Sequence, residues 1–166
     1  KQVPCDVYTA PLAVKEVQKM IRQEHISGVR VHSVKRNEKK RIGKRRIVFF
    51  PITHAYPGTF GLAIQTDQGY IVYSGEFIED YDDLEDAYRA DFTTISEIGN
   101  EGVLALLQES KGAERSGHTS PNHRIAPKLL QVLETHEQKR VFVSVYNQSV
   151  YRIQEIIDCC MASHRK

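Results

Sequence analysis

Two short stretches decide the fold, Phe49-Phe50-Pro51-Ile52-Thr53-His54 and Tyr73-Ser74-Gly75-Glu76-Phe77. The first is an apolar run that ends in a histidine, and the second follows two β-rich runs and carries a carboxylate. Metal ligands are held best when rigid strand ends project them into a shared cleft. We therefore expect His54 and Glu76 to come from neighbouring strand ends and to converge on one cleft, where they could share a divalent ion with other ligands.

Length and composition are those of a globular protein without a membrane span. The chain has 166 residues, enough for one domain or two incomplete ones, with 40% hydrophobic and 27% charged residues. No apolar run approaches the roughly 18 residues of a membrane span, and no signal peptide is recognisable, so we expect a cytoplasmic protein. The cysteines Cys5, Cys159 and Cys160 form no C-x-x-C motif, and we expect reduced thiols on buried faces.

The net charge of +2 is distributed unevenly. Eight of the 23 basic residues fall within twelve positions, a run that contains Glu38 as its single acid. The eight are Lys35, Arg36, Lys39, Lys40, Arg41, Lys44, Arg45 and Arg46. A run of this density predicts a basic hairpin or loop along a phosphate backbone, and the alternative is a solvated turn. Between Glu76 and Asp91 the sign reverses, and we expect this acidic stretch to lie away from any nucleic acid or to cover a partner surface.

The hydrophobic pattern alternates between strands and helices, which predicts an α/β fold. Strands are predicted over residues 6 to 9, 29 to 34, 47 to 52, 60 to 66, 70 to 74, 103 to 107 and 140 to 146, and helices over residues 11 to 25, 92 to 98, 125 to 135 and 150 to 161. The crowding of the early strands favours an antiparallel sheet, with a hairpin at Asp67-Gln68-Gly69. Apolar runs at residues 103 to 107 and 141 to 143 indicate strands buried on both faces. The first helix is expected to bury a stripe of Leu12, Val14, Val17, Met20 and Ile21.

Four motifs are similar to landmarks of one enzyme family. They are Thr53-His54-Ala55-Tyr56-Pro57, Ser74-Gly75-Glu76-Phe77, Glu109-Ser110 with Ala113-Glu114-Arg115-Ser116-Gly117, and Tyr151-Arg152-Ile153-Gln154. In this order and spacing they resemble the bacterial ribonuclease J family, in the β-CASP branch of the metallo-β-lactamase superfamily. The resemblance implies that residues 1 to 107 form the C-terminal part of a metallo-β-lactamase-like αββα sandwich. Residues 108 to 166 would then be the first half of a β-CASP α/β domain, with the junction in the Gly-, Ser-, Thr- and Pro-rich residues 110 to 122.

The resemblance also implies an activity and site residues. Family members are metal-dependent ribonucleases, in which two zinc ions generate hydroxide and clamp the reacting oxygens of a phosphodiester. His54 and Glu76 would be metal ligands, Glu109 would orient a catalytic histidine by a hydrogen bond, and the basic run would contact RNA. The family's His-x-His-x-Asp-His motif is absent from this sequence. We therefore expect an internal segment of a longer RNA-processing hydrolase, which would form homo- or hetero-oligomers with a ribonuclease J homologue.

The sequence departs from the family pattern at three places. Glu76 stands where active members carry Asp, Tyr56 and Gly58 replace Ile and Asp after the histidine, and residues 147 to 151 differ at a turn that faces the RNA channel in relatives. Second-copy paralogues, reputed to be weakly active or to act as partners, resemble this sequence in carrying Glu. One alternative is therefore a catalytically degenerate subunit that binds RNA and pairs with an active homologue, and another is a hydrolase of a non-RNA substrate. Without the family, His54 would be a structural strand-end histidine and Glu76 an exposed acid.

Overall fold

The computed structural model describes residues 3–78, 85–117 and 124–165, which form two sheets accompanied by helices. The elements, in chain order, are β1 Cys5–Thr9, α1 Val14–Gln23, β2 Val29–Ser33, β3 Lys39–Ile42, β4 Arg45–Pro51, β5 Phe60–Thr66, β6 Gly69–Tyr73, α2 Phe92–Glu101, β7 Val103–Leu107, α3 Ala126–Thr135 and α4 Val150–Ala162. Short 3-10 turns lie at Pro11–Ala13 and Asp86–Tyr88. The fold is mixed α/β, as predicted, and the finer sandwich and β-CASP arrangement stays a prediction.

The larger sheet has the strand order β3-β4-β5-β6-β7. Strands β3 to β6 are antiparallel neighbours, as predicted, and β7 joins β6 in parallel after the crossover that contains α2. The predicted hairpin between β5 and β6 is present, with Thr66 paired to Gly69 and the Thr66 hydroxyl donating to the Gly69 carbonyl over 2.5 Å. The smaller sheet pairs β1 with β2 in parallel, and α1 connects them.

One face of the larger sheet carries the main core. Its members are Val48, Phe50, Ile52, Ala63, Tyr70, Val72 and Ile98. Side chains alternate along a strand, so every second residue of β4 points to this face, and α2 covers the face with Ile98. Tyr70 is only 1% exposed, and its hydroxyl donates to Glu101 Oε2 over 3.1 Å. Complete burial of a large apolar side chain stabilises the fold by about 1.5–3 kcal/mol.

The opposite face of the larger sheet meets the smaller sheet through aromatic side chains. The ring of Phe49 lies 6.2 Å from the ring of Tyr8 in β1 and 5.2 Å from the ring of Phe60 in β5. The Val34 amide donates to the Thr9 carbonyl over 2.9 Å, which extends the pairing of β1 with β2 by one residue. The larger sheet is therefore covered on both sides near the end of β4.

The first helix differs from its prediction. It opens with the 3-10 turn at Pro11–Ala13, and its α-helical part ends at Gln23 instead of at His25. The predicted stripe is not buried, because Leu12 and Met20 are exposed and none of the residues of α1 is buried. The helix packs mainly against β2, and a two-stranded sheet is too narrow to cover an apolar helix face.

The predictions for the last two strands were also wrong in part. Strand β7 forms at the predicted residues, but all of its residues are exposed, because in the described part of the chain β7 is the outer strand and packs mainly against β6, its neighbour in the sheet. Residues 140 to 146 form no strand, and Phe142 and Tyr146 are 90% and 87% exposed. An apolar run becomes a strand only where backbone partners pair with it, and among the described residues none does.

A second, smaller core joins α3 to α4. Leu129 and Leu133 of α3 pack against Cys159 of α4. Glu155 binds the start of α3, because its Oε1 accepts the Ala126 amide over 2.8 Å, while its Oε2 pairs with Arg152. Cys159 is buried as expected and Cys160 half-buried, whereas Cys5 is exposed on the outer strand β1, so its expected burial was wrong.

Within residues 3–78, 85–117 and 124–165, none of the helices is long and apolar enough to cross a membrane. The predicted domain junction extends beyond residue 117 and so lies partly outside the described residues, and the boundary at residue 107 stays a prediction. Much of the predicted acidic stretch, residues 79 to 84, also lies outside them.

Candidate functional site at the ends of three strands

Three strands of the larger sheet end at the same edge and carry the predicted site residues on the loops that follow. Strands β4 and β6 are both antiparallel to β5, so they run in the same direction, and β7 is parallel to β6. His54 follows the end of β4, Glu76 follows β6, and Glu109 follows β7. Loops at the carboxyl ends of strands that share one direction lie side by side. The fold therefore brings His54, Glu76 and Glu109 to one edge of the sheet, the His54 edge.

Backbone hydrogen bonds hold the three loops together. The Ser74 amide donates to the Leu107 carbonyl over 3.0 Å, which joins the ends of β6 and β7. The Ile78 amide donates to the Thr53 carbonyl over 2.9 Å, which joins the Glu76 loop to the His54 loop. The buried Thr53 hydroxyl also accepts the Ala90 amide over 3.1 Å. The position of the site thus depends on main-chain contacts more than on its exposed side chains.

The His54 ring is oriented by its own loop. The Tyr56 amide donates to His54 Nδ1 over 3.1 Å. A ring nitrogen that accepts an amide hydrogen carries no proton, so in the neutral ring the proton is on Nε2. In this arrangement His54 presents an N–H donor at Nε2, whereas a metal ligand would have to present a lone pair there.

Glu76 lies on a loop that needs a glycine before it and a cation beside it. Gly75 has φ of +69°, and a Cβ there would lie 3.0 Å from Ile52 Cδ1, so a side chain would be both strained and crowded. Glu76 Oε1 accepts a hydrogen bond from Lys111 Nζ over 2.9 Å. This bond and the charge of Lys111 lower the pKa of Glu76, and the nearby His54 lowers it further. His54 and Glu76 are therefore within electrostatic reach of each other.

Lys111 is the side chain at this edge that sequence reasoning missed. It lies in the loop after β7, and its hydrogen bond and ion pair with Glu76 raise its pKa, with a further contribution from the charge of Glu109. Glu109 is half-buried, and its predicted role of orienting a catalytic histidine stays a prediction. The signal in the sequence was a lysine two positions after Glu109, but only the parallel pairing of β6 with β7 places it beside Glu76.

The start of α4 also meets this edge. The Tyr151 amide donates to the Ala55 carbonyl over 3.1 Å, and the Tyr151 ring lies 5.0 Å from that of Tyr88 in an edge-to-face contact. The Gly58 amide donates to the Ala87 carbonyl over 2.7 Å. The motif that begins at Tyr151 is thus in direct contact with the loop that carries His54, although the two are distant in sequence.

The residues at this edge do not by themselves fit a zinc site. Within the described ranges no group of three or more His, Cys, Asp or Glu side chains comes together as metal ligands would. A structural zinc ion has four ligands and a catalytic one has three from the protein. His54 and Glu76 are two, His54 presents a donor, and Glu76 is paired with Lys111. Zinc at this edge stays a prediction that requires ligands beyond the described residues.

The basic run forms a hairpin at the opposite edge of the sheet. Strands β3 and β4 pair Arg41 with Arg46 and Ile42 with Arg45, around a turn that contains Lys44. Beside this hairpin lies a groove, the basic groove, which is lined by Lys39, Lys40, Arg41, Lys44, Arg45, Arg46, Gln65, Thr66 and Asp67. The groove adjoins the start of β4 and His54 follows its end, so the two are roughly 20 Å apart at the usual rise along a strand. The predicted hairpin is therefore present and separate from the His54 edge.

Two members of the basic run have structural contacts instead. Arg36 donates from Nη1 to the Asp86 carbonyl over 2.7 Å and to the Arg89 carbonyl over 3.1 Å, so it ties the segment between β2 and β3 to part of the acidic stretch. Lys40 Nζ lies 3.2 Å from Glu38 Oε1 and 5.2 Å from the centre of the Tyr8 ring. We therefore assign phosphate contacts first to the groove residues Lys39, Arg41, Lys44, Arg45 and Arg46.

The fold and the two edges define a mixed α/β protein with a loop-borne polar site and a distant basic groove. Its fold is similar to that of an Enterococcus faecalis protein of unknown function, whose crystal structure it matches with a TM-score of 0.59 over 91% of this chain and 38% of the other, at 15% identity. At that identity the likeness concerns the fold alone. A scan of protein-family models found no match.

Curated relatives carry a more specific name. The chain is 30% identical over 167 aligned residues to a protein named Ribonuclease J 2 from Staphylococcus saprophyticus, and 31% and 30% identical to the proteins of that name from Staphylococcus epidermidis and Staphylococcus aureus. Each alignment covers the whole of this chain and 30% of the relative, so the chain spans about a third of the length of the curated relatives that it matches. The chain is therefore similar along its whole length to one segment of these relatives.

Proposed function

We propose that this chain is a segment of a ribonuclease J-type protein that acts on RNA. The observation that carries the proposal is that three family-like motifs, those of His54, Glu76 and Glu109, follow strands that end at one edge of the sheet. The chain that contains them is similar in sequence to Ribonuclease J 2 along its whole length. Loop residues that a fold gathers at strand ends are those that proteins use for binding and catalysis. The His54 edge is therefore the proposed place of phosphodiester chemistry.

The basic groove is the proposed path of the RNA backbone. Lys39, Arg41, Lys44, Arg45 and Arg46 concentrate positive charge in a chain whose net charge is only +2. Such a groove attracts phosphates without regard to sequence and releases counterions when it binds them. Because the groove and His54 lie at opposite ends of β4, one extended RNA strand would contact both. The groove would then hold the RNA while the His54 edge acts on a phosphate some nucleotides away.

The first test is cleavage of a 5′-labelled RNA by the full-length protein and by its His54→Ala variant. We expect cleavage to fall by about 100-fold or more and RNA affinity to stay within about twofold, because the substitution removes a group at the reacting phosphate and leaves the groove intact. His136→Ala, at the exposed end of α3, is the matched control and should cleave normally. Normal cleavage by His54→Ala would refute the proposed site.

A second function is favoured by the ion pair of Lys111 with Glu76. Glu76 already has a cationic partner in Lys111 and is therefore a poor metal ligand. A catalytically degenerate subunit would have a weakened metal site of this kind. Such a subunit would bind RNA without cutting it and would co-purify with an active ribonuclease J homologue. Cleavage of small phosphodiesters with RNA neither bound nor cut would instead indicate a hydrolase of a non-RNA substrate.

A further inference from the structure

The most informative contact at the His54 edge is the one that places an ammonium group where the family resemblance calls for a metal ion. Lys111 Nζ lies 2.9 Å from Glu76 Oε1, the distance of a charge-assisted hydrogen bond. The two residues follow β6 and β7, whose ends are joined by the bond from the Ser74 amide to the Leu107 carbonyl. The contact therefore joins the loops after two hydrogen-bonded strands, β6 and β7, although the Glu76 and Lys111 side chains are exposed.

The charges around Lys111 support a stable position for its ammonium group. Its Nζ donates a hydrogen bond to Glu76 Oε1, and the negative charge of Glu109 also attracts it. An ammonium group that is bonded to a carboxylate neutralises the charge of that carboxylate, as a bound cation would.

A divalent ion would have to compete with this lysine. It would need the Glu76 oxygen that now accepts from Lys111, and it would be repelled by the ammonium group a few ångströms away. The Glu76 and Lys111 side chains are 55% and 80% exposed, so water screens the repulsion and the competition is moderate. The presence of Glu at position 76, with one methylene more than Asp, gives the carboxylate extra reach for this contact.

We infer that Lys111 acts as a built-in counter-ion which occupies Glu76 and lowers the affinity of the His54 edge for a divalent metal ion. The inference takes the location of the site from the function proposed above, but it concerns metal affinity and makes no assumption about RNA cleavage. It assigns a role to a residue outside the motifs. It also predicts that metal binding is restored, at least in part, by removing one charge.

The test is a titration of the full-length protein with Mn²⁺, in which free Mn²⁺ is measured by electron paramagnetic resonance. Mn²⁺ suits carboxylate ligands such as Glu76. We expect Lys111→Gln to bind Mn²⁺ on the order of tenfold more tightly than the wild type. Lys111→Arg keeps the charge and should stay at the wild-type affinity, as should Lys128→Gln, which removes a charge from α3.

Two results would overturn the inference. One is an unchanged Mn²⁺ affinity in Lys111→Gln, which would mean that the lysine does not compete. The other is a gain that persists in the double variant Lys111→Gln with Glu76→Gln, which would mean that the metal binds elsewhere. Circular dichroism of each variant shows whether it is folded. Failure of the nuclease assay above would leave this measurement interpretable, and an unchanged Mn²⁺ affinity would leave RNA binding by the groove untouched.

Discussion

The two edges of the larger sheet hold their polar side chains in different ways. At the His54 edge, loops after β4, β6 and β7 are fixed by main-chain hydrogen bonds such as the one from the Ile78 amide to the Thr53 carbonyl. At the basic groove, long cationic side chains extend from a two-stranded hairpin. Under the proposed function, the first edge would act through position, where displacements of about 1 Å matter, and the second would act through summed charge, which tolerates displacement. The difference predicts that the two edges respond to different substitutions.

The largest effect is expected for reversal of charge in the groove. In the triple variant Lys39→Glu, Arg41→Glu and Lys44→Glu, RNA affinity should fall by about 100-fold or more at 0.1 M salt, because three phosphate contacts become repulsive. The plot of log affinity against log salt should become flatter by roughly two units for a single-stranded RNA. Fluorescence anisotropy at several salt concentrations measures both quantities.

The control for this variant has the same change in net charge at a distance from the groove. The control is the triple variant Lys15→Glu, Lys19→Glu and Lys128→Glu, whose three positions are exposed on α1 and α3. They should leave the salt dependence close to that of the wild type. If the groove variant kept the wild-type slope of log affinity against log salt, the basic run would not contact RNA. The proposed difference between the two edges would then be wrong for the groove.

The next effect concerns the packing beneath the His54 edge. A Cβ at Gly61 of β5 would lie 2.4 Å from Phe50 Cζ and 2.9 Å from the Tyr73 carbonyl oxygen. Gly61→Ala should therefore lower the free energy of unfolding by about 1–3 kcal/mol and displace the end of β4, with loss of activity at the His54 edge. RNA affinity should change little, since the groove adjoins the other ends of these strands. Urea unfolding and anisotropy measure the two responses.

A second glycine gives the matched comparison. A Cβ at Gly99 of α2 would meet no other heavy atom within 4 Å, so Gly99→Ala should be neutral or stabilise the fold by up to about 1 kcal/mol. Equal destabilisation by both variants would show that the contact with Phe50 is not the cause of the Gly61 result. Loss of RNA affinity in Gly61→Ala would show that the two edges are coupled.

The sequence predicted the elements at the His54 edge well because their signals are local. Turn residues and alternating apolar residues place the β5 and β6 hairpin, and apolar runs place the ends of β4 and β7. The contact of Lys111 with Glu76 could not be predicted in this way, because it depends on the parallel pairing of β6 and β7 across the whole of α2. Pairing between distant strands leaves no periodic signal in either of them.

The burial of apolar runs was predicted less well for a related reason. Val103-Leu104-Ala105 and Val141-Phe142-Val143 resemble buried strands in composition, yet β7 is exposed and residues 140 to 146 are unpaired in the described part of the chain. Composition indicates that a segment can be buried, whereas burial itself depends on a neighbour. The basic run shows the same limit, since its density did not reveal that Arg36 binds the Asp86 carbonyl.

A smaller effect, with a dependence on pH, is expected at Asp91. Its Oδ1 accepts the Thr94 amide over 3.1 Å at the start of α2, its Oδ2 accepts Asn37 Nδ2 over 2.5 Å, and its own amide donates to the Pro51 carbonyl at the end of β4. Burial by itself would raise the pKa of Asp91, but the hydrogen bonds from Thr94 and Asn37 outweigh it and leave the pKa below the ordinary 3.8. A carboxyl with a depressed pKa stabilises the fold above its unfolded-state pKa, and this contribution is lost as pH falls through the folded-state value.

Asp91→Asn should therefore lower the free energy of unfolding by about 1 kcal/mol at pH 7, because the hydrogen bonds from Thr94 and Asn37 to a charged carboxylate are stronger than those to a neutral amide. The difference from the wild type should shrink as pH is lowered from 5 towards 2, because the wild type then loses its charged cap as well. Asp67→Asn, in the exposed turn of the β5 and β6 hairpin, should show neither effect. A difference that stays constant over this pH range would mean that the charge of Asp91 contributes nothing to the cap.

The smallest effect is expected for Lys111→Gln on thermal stability. The Lys111 and Glu76 side chains are exposed, and exposed ion pairs contribute little because water and salt screen them. The melting temperature should therefore be indistinguishable from that of the wild type, even though metal affinity changes. A decrease as large as that of Asp91→Asn would mean that the ion pair ties β6 to β7. The His54 edge would then be held by its side chains as much as by its backbone, and the contrast with the basic groove would weaken.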